Sequence, residues 1–197
     1  IDAEILPRAV EGVLARHEAF RTQILTEDGA ARVDILECSR IPIEISDLSS
    51  TPQGERAAVA KAACAALVST PLDLAAGIVA RVRIISFAPD DHLLALSMHH
   101  IVSDGWSIAI VFRDICTAYD VRMTGAAPNL TPPRVRYVDF AAWEQDRAAA
   151  HGFDESSAYW RRALAGAPPL LDLPSDRPRP PNGSVRGARA RIYIDET

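Results

Sequence analysis

Two apolar strands, a short polar loop and an amphipathic helix follow one another in mid-chain, and this run constrains the fold most. Residues 78–87 (IVARVRIISF) and 92–98 (HLLALSM) predict two strands joined by a tight turn at APDD. The second strand is almost wholly apolar, which predicts a mid-sheet position with both faces covered. From Ile108 to Tyr119 apolar side chains recur at helical spacing. The run therefore predicts a sheet covered by at least one helix.

Weaker patterns predict the rest of the secondary structure. The predicted helices are 4–21, about 55–69, 138–150 and 155–166, and the predicted short strands are 31–36 and 41–45. Residues 168–183 hold six of the fourteen prolines, which predicts an extended arm rather than a helix or a central strand. Residues 188–194 alternate like a strand, and such a strand needs a sheet to join.

The composition excludes several classes of protein. The 197 residues suit one domain, or one lobe of a larger domain. A net charge of −5 lacks the basic excess of a nucleic-acid-binding domain, and no apolar run is long enough to span a membrane. Cys38, Cys64 and Cys116 form no CxxC pair, so we expect reduced, buried thiols in a cytoplasmic protein. The Ala- and Arg-rich composition favours a bacterial source.

Some ring-bearing residues are expected to be structural. His17 lies on the apolar stripe of the first predicted helix, which indicates a histidine packed in the core. Large aromatic side chains usually anchor the elements that carry them. The aromatic residues expected to anchor the last two helices are Tyr137, Trp143, Tyr159 and Trp160.

The loop between the second strand and the following helix concentrates reactive side chains. It reads MHHIVSDGWS (Met98–Ser107), with two adjacent histidines, an aspartate and a glycine. In α/β proteins ligands commonly bind where a strand ends and a helix begins, because the first helical N–H groups are unpaired there. Adjacent side chains on a strand point to opposite faces, so only one of His99 and His100 can face a given pocket.

Residue types alone leave the role of the loop open. Asp104 could cap the following helix, or it could pair with an arginine and fix the loop. Gly105 fits both roles, since it supplies a torsion or a close approach that other residues resist. A metal site is the weakest interpretation, because His99 and His100 lack i, i+4 spacing and no nearby Glu or Cys completes a ligand set. An acyl-transfer site and a structural turn remain equally open.

Three segments, in order, resemble the condensation domains of non-ribosomal peptide synthetases, which belong with the chloramphenicol-acetyltransferase-like acyltransferases. MHHIVSDG is similar to the HHxxxDG motif of that family. RHEAFRT (Arg16–Thr22) resembles its RHExLRT segment, with Phe20 in place of Leu. RYVDFAAW (Arg136–Trp143) resembles its YxDYxxW segment, with Phe140 in place of Tyr. The resemblance covers essentially the whole chain.

The resemblance implies a fold and a domain organisation. The fold would be α/β, a chloramphenicol-acetyltransferase-like lobe built as an α+β two-layer sandwich, with a mixed sheet covered by helices. This lobe would be one half of a V-shaped, pseudo-dimeric domain whose active site lies between the lobes. Residues 1–167 would form the N-terminal lobe and 168–187 a Pro/Arg-rich extended arm. Residues 188–197 would form a strand leading to a C-terminal lobe.

The resemblance also implies a reaction and its partners. The free amine of an acceptor aminoacyl thioester would attack a donor acyl or peptidyl thioester and form an amide bond. Phosphopantetheine arms of the upstream and downstream carrier proteins would hold both substrates, so no metal or directly bound cofactor is expected. The C-terminal lobe and a neighbouring adenylation domain are further implied partners, whereas nucleic acid and membranes are not. The lobe alone is expected to be inactive.

By this resemblance His100 is the functional histidine, and His99 packs or braces the loop. His100 would take a proton from the amine, or it would position the amine and stabilise the tetrahedral intermediate. Asp104 would form a salt bridge with Arg16 or Arg21. Gly105 and its N–H would lie close to the thioester. The further support and channel residues that the resemblance suggests are Trp106, Ser107, Ser103, Tyr137 and Asp139.

Other functions remain as alternatives. One is a starter, lipid-initiating condensation domain, and another is a coenzyme-A-dependent or ester-forming HHxxxDG acyltransferase. A third is a degenerate lobe that only recruits a partner. The segments around Arg16 and Tyr137 favour amide formation, and the intact His100 favours catalysis. Epimerisation domains share the histidine pair, but Trp106 favours condensation, and HHIVSDGWSI is typical of a donor of L configuration.

Overall fold

The structure is a computed structural model that describes residues 1–127, 133–170, 174 and 192–193. It divides into two compact units, Ile1–Asp146 and Arg147–Thr197. Most of the arm expected at 168–187, and most of the strand expected at 188–197, lie outside the described residues. Both therefore stay predictions.

The described part of the chain contains five α-helices and five strands. The helices are α1 (Ile5–Arg16), α2 (Gln53–Ser69), α3 (Gly105–Met123), α4 (Tyr137–Ala149) and α5 (Asp154–Ala163). The strands are β1 (Thr22–Glu27), β2 (Ala30–Ile35), β3 (Ile43–Asp47), β4 (Ala80–Ala88) and β5 (Asp91–Met98). None of the described helices has the length and apolar character of a membrane span.

A mixed sheet of three strands lies at the centre of the first unit. Its order is β3-β4-β5, with β4 parallel to β3 and antiparallel to β5. The prediction of a mid-sheet position for β5 was wrong, because in the described part of the chain β4 is central and β5 is an edge strand. Because arginines alternate with apolar residues at the start of β4, its sequence did not predict a central position in the sheet. Its two arginines are paired: Arg83 bonds Glu44, which lies opposite it on β3, and Arg81 donates to the Pro71 carbonyl oxygen.

Helices cover both faces of this sheet because β4 is apolar on both. Val82 and Ile84 belong to the larger core, with side chains from α1 and α3. Ile85 and Phe87 point to the opposite face, where Ala63 of α2 packs against them. The predicted fold class, a mixed sheet covered by helices, is confirmed.

The N-terminal segment differs from its prediction. The helix expected at 4–21 ends at Arg16, a 3₁₀ turn follows at Glu18–Arg21, and β1 was not predicted at all. β1 pairs with β2 in an antiparallel hairpin. Asp28 and Gly29 form its turn with φ of 50° and 79°, as a two-residue Asp-Gly turn requires. The hairpin forms a small sheet of its own, separate from the β3-β4-β5 sheet.

Several side chains expected to be buried are exposed. α4 and α5 bury no residue, so the described part of the chain does not cover the aromatic rings that were expected to anchor these helices. The rings of Tyr137, Trp143, Tyr159 and Trp160 are between 51% and 73% exposed. Two of the three free thiols, Cys38 and Cys116, are also exposed, where buried thiols were expected.

Candidate functional site

The loop between β5 and α3 lines a cavity of about 530 Å³ in the first unit. His100, Ser103 and Asp104 reach it from the loop, and Ser107 reaches it from the first turn of α3. The other described residues that line it are Glu18, Ala19, Thr22, Ile24, Ala31, Val33, Ile35, Ile101, Val102, Tyr137 and Val138. The cavity therefore brings the histidine loop together with the unpredicted hairpin.

The hairpin gives this cavity an apolar wall. Ile24 of β1 lies opposite Val33 of β2, and Ala31 and Ile35 lie two residues to either side of Val33. Residues two apart on a strand share a face, so these side chains form one continuous surface. His100 therefore borders a cavity with a hydrocarbon lining, which can receive an apolar group and exclude water from it.

The two histidines have different surroundings. Both are exposed, but only His100 lines the cavity. The His99 backbone N–H donates to the Val79 carbonyl oxygen (2.9 Å), and its Nδ1 accepts the N–H of Ile101 (3.0 Å). Its carbonyl oxygen accepts the Ser103 hydroxyl (3.1 Å). His99 is therefore built into the loop, whereas the His100 ring is available to a ligand.

Asp104 caps α3. Its Oδ1 accepts hydrogen bonds from the backbone N–H (2.8 Å) and the hydroxyl (2.7 Å) of Ser107, and its own N–H donates to that hydroxyl oxygen (3.2 Å). These bonds from Ser107 lower the pKa of the Asp104 carboxyl. The prediction of a salt bridge from Asp104 to Arg16 or Arg21 was wrong, since no ion pair of Asp104 occurs in the described part of the chain.

We expect Asp104→Ala to lower the melting temperature by a few degrees, because the first N–H groups of α3 lose their acceptor. Asp104→Asn should cost much less, since asparagine caps helices about as well as aspartate. Thermal denaturation of both variants measures the difference, with Asp120→Ala as a control that removes an exposed carboxylate from the same helix. An equal loss in the alanine and asparagine variants would contradict the capping role.

Arg16 and Arg21 have structural partners elsewhere. Arg16 NH1 donates to Oδ2 of Asp114 on α3 (2.8 Å), and Nε2 of His17 lies 3.0 Å from the same oxygen. Arg21 Nε donates to the Ala15 carbonyl oxygen (2.9 Å), and Arg21 also donates to the carbonyl oxygen of Leu36. His17 is therefore a histidine whose ring is hydrogen-bonded to a buried carboxylate, at the contact between α1 and α3. Arg16 ties α1 to α3 through an aspartate that the sequence did not single out.

The local backbone conformation does not require a glycine at position 105. Gly105 is the first residue of α3, and its φ lies outside the left-handed region. A Cβ built on it meets nothing within 4 Å, so the protein itself leaves space for a side chain.

The remaining predicted residues separate into two groups. Tyr137 joins Ser103 and Ser107 in the cavity lining. Trp106 is 82% exposed and does not line the cavity. Asp139 does not line it either, because its carboxylate pairs with Arg136 through contacts of 2.7 and 3.0 Å, which lower the pKa of Asp139. Asp139 therefore lies outside this cavity, and its role in a substrate channel stays a prediction.

The chemistry available in this cavity is proton transfer and hydrogen bonding. His100 offers an imidazole beside an apolar wall, and the hydroxyl of Ser103 is directed to a backbone oxygen rather than to His100. Among the described residues, no group of three or more His, Cys, Asp and Glu side chains is placed to hold a metal ion. The arrangement places the His100 imidazole beside an apolar surface, where it can exchange a proton or form a hydrogen bond with a bound group.

Comparisons with known proteins agree with this architecture. The sequence model of the Condensation domain family matches residues 1–197. The phosphinothricin tripeptide synthetase PhsC of Streptomyces viridochromogenes is 36% identical over 194 residues, which are 98% of this chain and 18% of that protein. The chain thus spans less than a fifth of that relative.

Solved structures share the fold. The SgcC5 protein of Streptomyces globisporus superimposes with a TM-score of 0.75 at 32% identity, over 91% of this chain and 40% of its own. The epimerization domain from the third module of tyrocidine synthetase B has a TM-score of 0.74 at 26% identity, over 89% of this chain and 40% of its own. These are lobes of the chloramphenicol-acetyltransferase-like fold.

Proposed function

The chain belongs to the condensation-domain family, and we propose that it contributes His100 to amide-bond formation between two thioester-bound substrates. The observation that carries the proposal is the exposed His100 ring in a cavity of about 530 Å³ with an apolar wall. A neutral imidazole at such a position can accept a proton or a hydrogen bond from an amine.

The proposed reaction joins an acceptor amine to a donor acyl or peptidyl group. The amine nitrogen attacks the thioester carbonyl carbon, a C–N bond forms, and the tetrahedral intermediate then loses the thiol as the C–S bond breaks. The proton released by the nitrogen ends on the departing sulfur. His100 either carries that proton or holds the amine in line and stabilises the intermediate by hydrogen bonding.

Other residues of the loop would support His100. His99 and Asp104 hold the loop in shape through their bonds to Ile101 and Ser107. Gly105 leaves open space beside the loop, which would let the thioester approach its N–H. Ser103 and Tyr137 would contact substrate from the cavity lining.

The proposed substrates arrive on phosphopantetheine arms of an upstream and a downstream carrier protein in the cytoplasm. A C-terminal lobe and an adenylation domain would be the other partners, since the matched relative PhsC is a synthetase far longer than this chain. We further propose a donor of L configuration, because HHIVSDGWSI is typical of that subtype. The starter and ester-forming alternatives share the same use of His100.

The test uses the full-length protein with one carrier protein bearing a donor thioester and the other an aminoacyl thioester. We expect the acceptor arm to gain the mass of the donor acyl group, and an acceptor with an acetylated amine to gain nothing. Mass spectrometry of the carrier arms measures both. Donor hydrolysis without transfer would contradict the proposal, and transfer to coenzyme A would favour the alternative acyltransferase.

A further inference from the structure

Glu18 is a carboxylate in the His100 cavity that belongs to the RHEAFRT segment, and the proposed reaction gives it no role. It begins the 3₁₀ turn after α1, and its side chain lines the cavity. Its Oε2 is buried and has no hydrogen-bond partner in the described part of the chain. Buried carboxylate oxygens are nearly always hydrogen-bonded, so this oxygen lacks a donor that a ligand could supply.

The nearest cation does not satisfy Glu18. Arg136 NH1 lies 3.8 Å from Oε1, which is beyond hydrogen-bond distance. The Nε and NH2 groups of Arg136 donate instead to Asp139, at 3.0 and 2.7 Å. Arg136 therefore offers Glu18 a distant charge, and it leaves Oε2 without a donor.

The charge of the cavity favours a cationic ligand. Among the described residues that line it, none is Lys or Arg, whereas Glu18 and Asp104 are carboxylates. Asp104 already accepts two hydrogen bonds from Ser107. Glu18 is therefore the lining carboxylate best placed to accept hydrogen bonds from a bound ammonium group.

We propose that Glu18 binds the α-ammonium group of the acceptor substrate, an inference that rests on the proposed function. The ammonium has three N–H donors and a positive charge, so it can donate a charge-assisted hydrogen bond to Oε2 of Glu18, which otherwise has no donor. One proton then passes to His100 in the same cavity, and the resulting amine keeps a hydrogen bond to Glu18 while its lone pair attacks the thioester carbon. Glu18 thus selects an amine over a neutral hydroxyl and holds it beside His100.

The test replaces Glu18 with glutamine in the full-length protein and compares two acceptors, an aminoacyl pantetheine and the hydroxyacyl pantetheine of the same side chain. We expect the KM for the aminoacyl acceptor to rise about 10- to 100-fold in Glu18→Gln, because one charge-assisted bond is lost. Its kcat should fall much less, and the KM for the hydroxyacyl acceptor should change little. Glu18→Asp should restore part of the affinity.

The pH dependence separates binding from a structural role. The wild-type KM for the aminoacyl acceptor should rise above about pH 8, where an α-ammonium group loses its charge, and Glu18→Gln should lose that dependence. Glu27→Gln is the matched control, since Glu27 is an exposed glutamate of β1 that pairs with Arg32 and does not line the cavity.

Two outcomes would overturn the inference about Glu18. One is an unchanged KM for the aminoacyl acceptor in Glu18→Gln, and the other is an equal rise in KM for both acceptors. If the wild-type protein forms no amide with the aminoacyl acceptor, the proposed function fails before Glu18 is tested. The two failures are therefore distinguishable in one set of assays.

Discussion

Replacing His100 with alanine is expected to lower the rate of amide formation by about 10²- to 10⁴-fold, the usual contribution of a positioned acid–base group. The physical reason is that His100 is the imidazole that lines the cavity, with an apolar wall beside it. The measurement is single-turnover transfer in the full-length protein, with both carrier arms shown by mass spectrometry to remain loaded. Loss of product with loaded carriers places the defect in the joining step.

The neighbouring histidine provides the matched control. His99→Ala removes an imidazole of the same loop that accepts the Ile101 N–H and does not line the cavity, so a much smaller loss is expected. His100→Gln keeps a hydrogen-bonding side chain that cannot accept a proton near pH 7. A rate close to wild type in the glutamine variant would favour the positioning role, and unchanged output from His100→Ala would refute the assignment.

The centre of the fold could be predicted from the sequence because its patterns are local. β4 and β5 lie within two residues of the bounds expected from their strand patterns, and α3 contains the whole stretch from Ile108 to Tyr119 that was expected to be helical. The order of the strands could not be predicted in this way. An apolar edge strand and an apolar central strand have the same sequence pattern. The arginines of β4 bond to partners that are distant in sequence, Glu44 and Pro71, and this pairing is not visible in the sequence.

A third of the described cavity lining lies on the hairpin, and the pairing of its two strands was not predicted because β1 was missed. The helical spacing of α1 was extended through the 3₁₀ turn, which obscured Thr22 and Ile24 as strand residues. A signal was present: Asp28-Gly29 is a strong two-residue hairpin turn, and it stands directly before a predicted strand. That turn predicts a hairpin, and the hairpin predicts an apolar face formed by both strands. The position of this face beside His100 depends on tertiary packing and cannot be predicted from the turn.

The two aspartates of α3 show why a pairing partner is hard to assign from sequence. Asp104 stands at the amino end of the helix, where unpaired N–H groups compete successfully for its carboxylate. Asp114 lies ten residues later on the face that packs against α1, and it is only 4% exposed. The resemblance suggested an arginine partner for the motif aspartate, whereas in this structure Arg16 pairs with the buried one.

Replacing Asp114 with alanine is expected to cost about 3 kcal/mol of unfolding free energy, the lower end for breaking a buried ion pair, because its partners are partly exposed. Asp114 receives hydrogen bonds from Arg113 (3.0 Å) and Arg16 (2.8 Å), and His17 lies 3.0 Å away. Removing the carboxylate leaves these groups facing each other between α1 and α3. Denaturant unfolding measures the loss, and Asp120→Ala, exposed on the same helix, should cost little.

The same cluster predicts a pH dependence. Burial raises the pKa of the Asp114 carboxyl, but hydrogen bonds from Arg113 and His17 and the charge of Arg16 outweigh burial, so the net pKa is lowered. A folded-state pKa below the unfolded value of about 3.9 means that the stabilisation is present above about pH 4 and is lost as pH falls through the folded pKa. Asp114→Asn cannot titrate, so its unfolding free energy should fall less steeply than that of the wild type between about pH 4 and pH 2. Parallel curves for the two proteins would show that the carboxylate charge of Asp114 does not join α1 to α3.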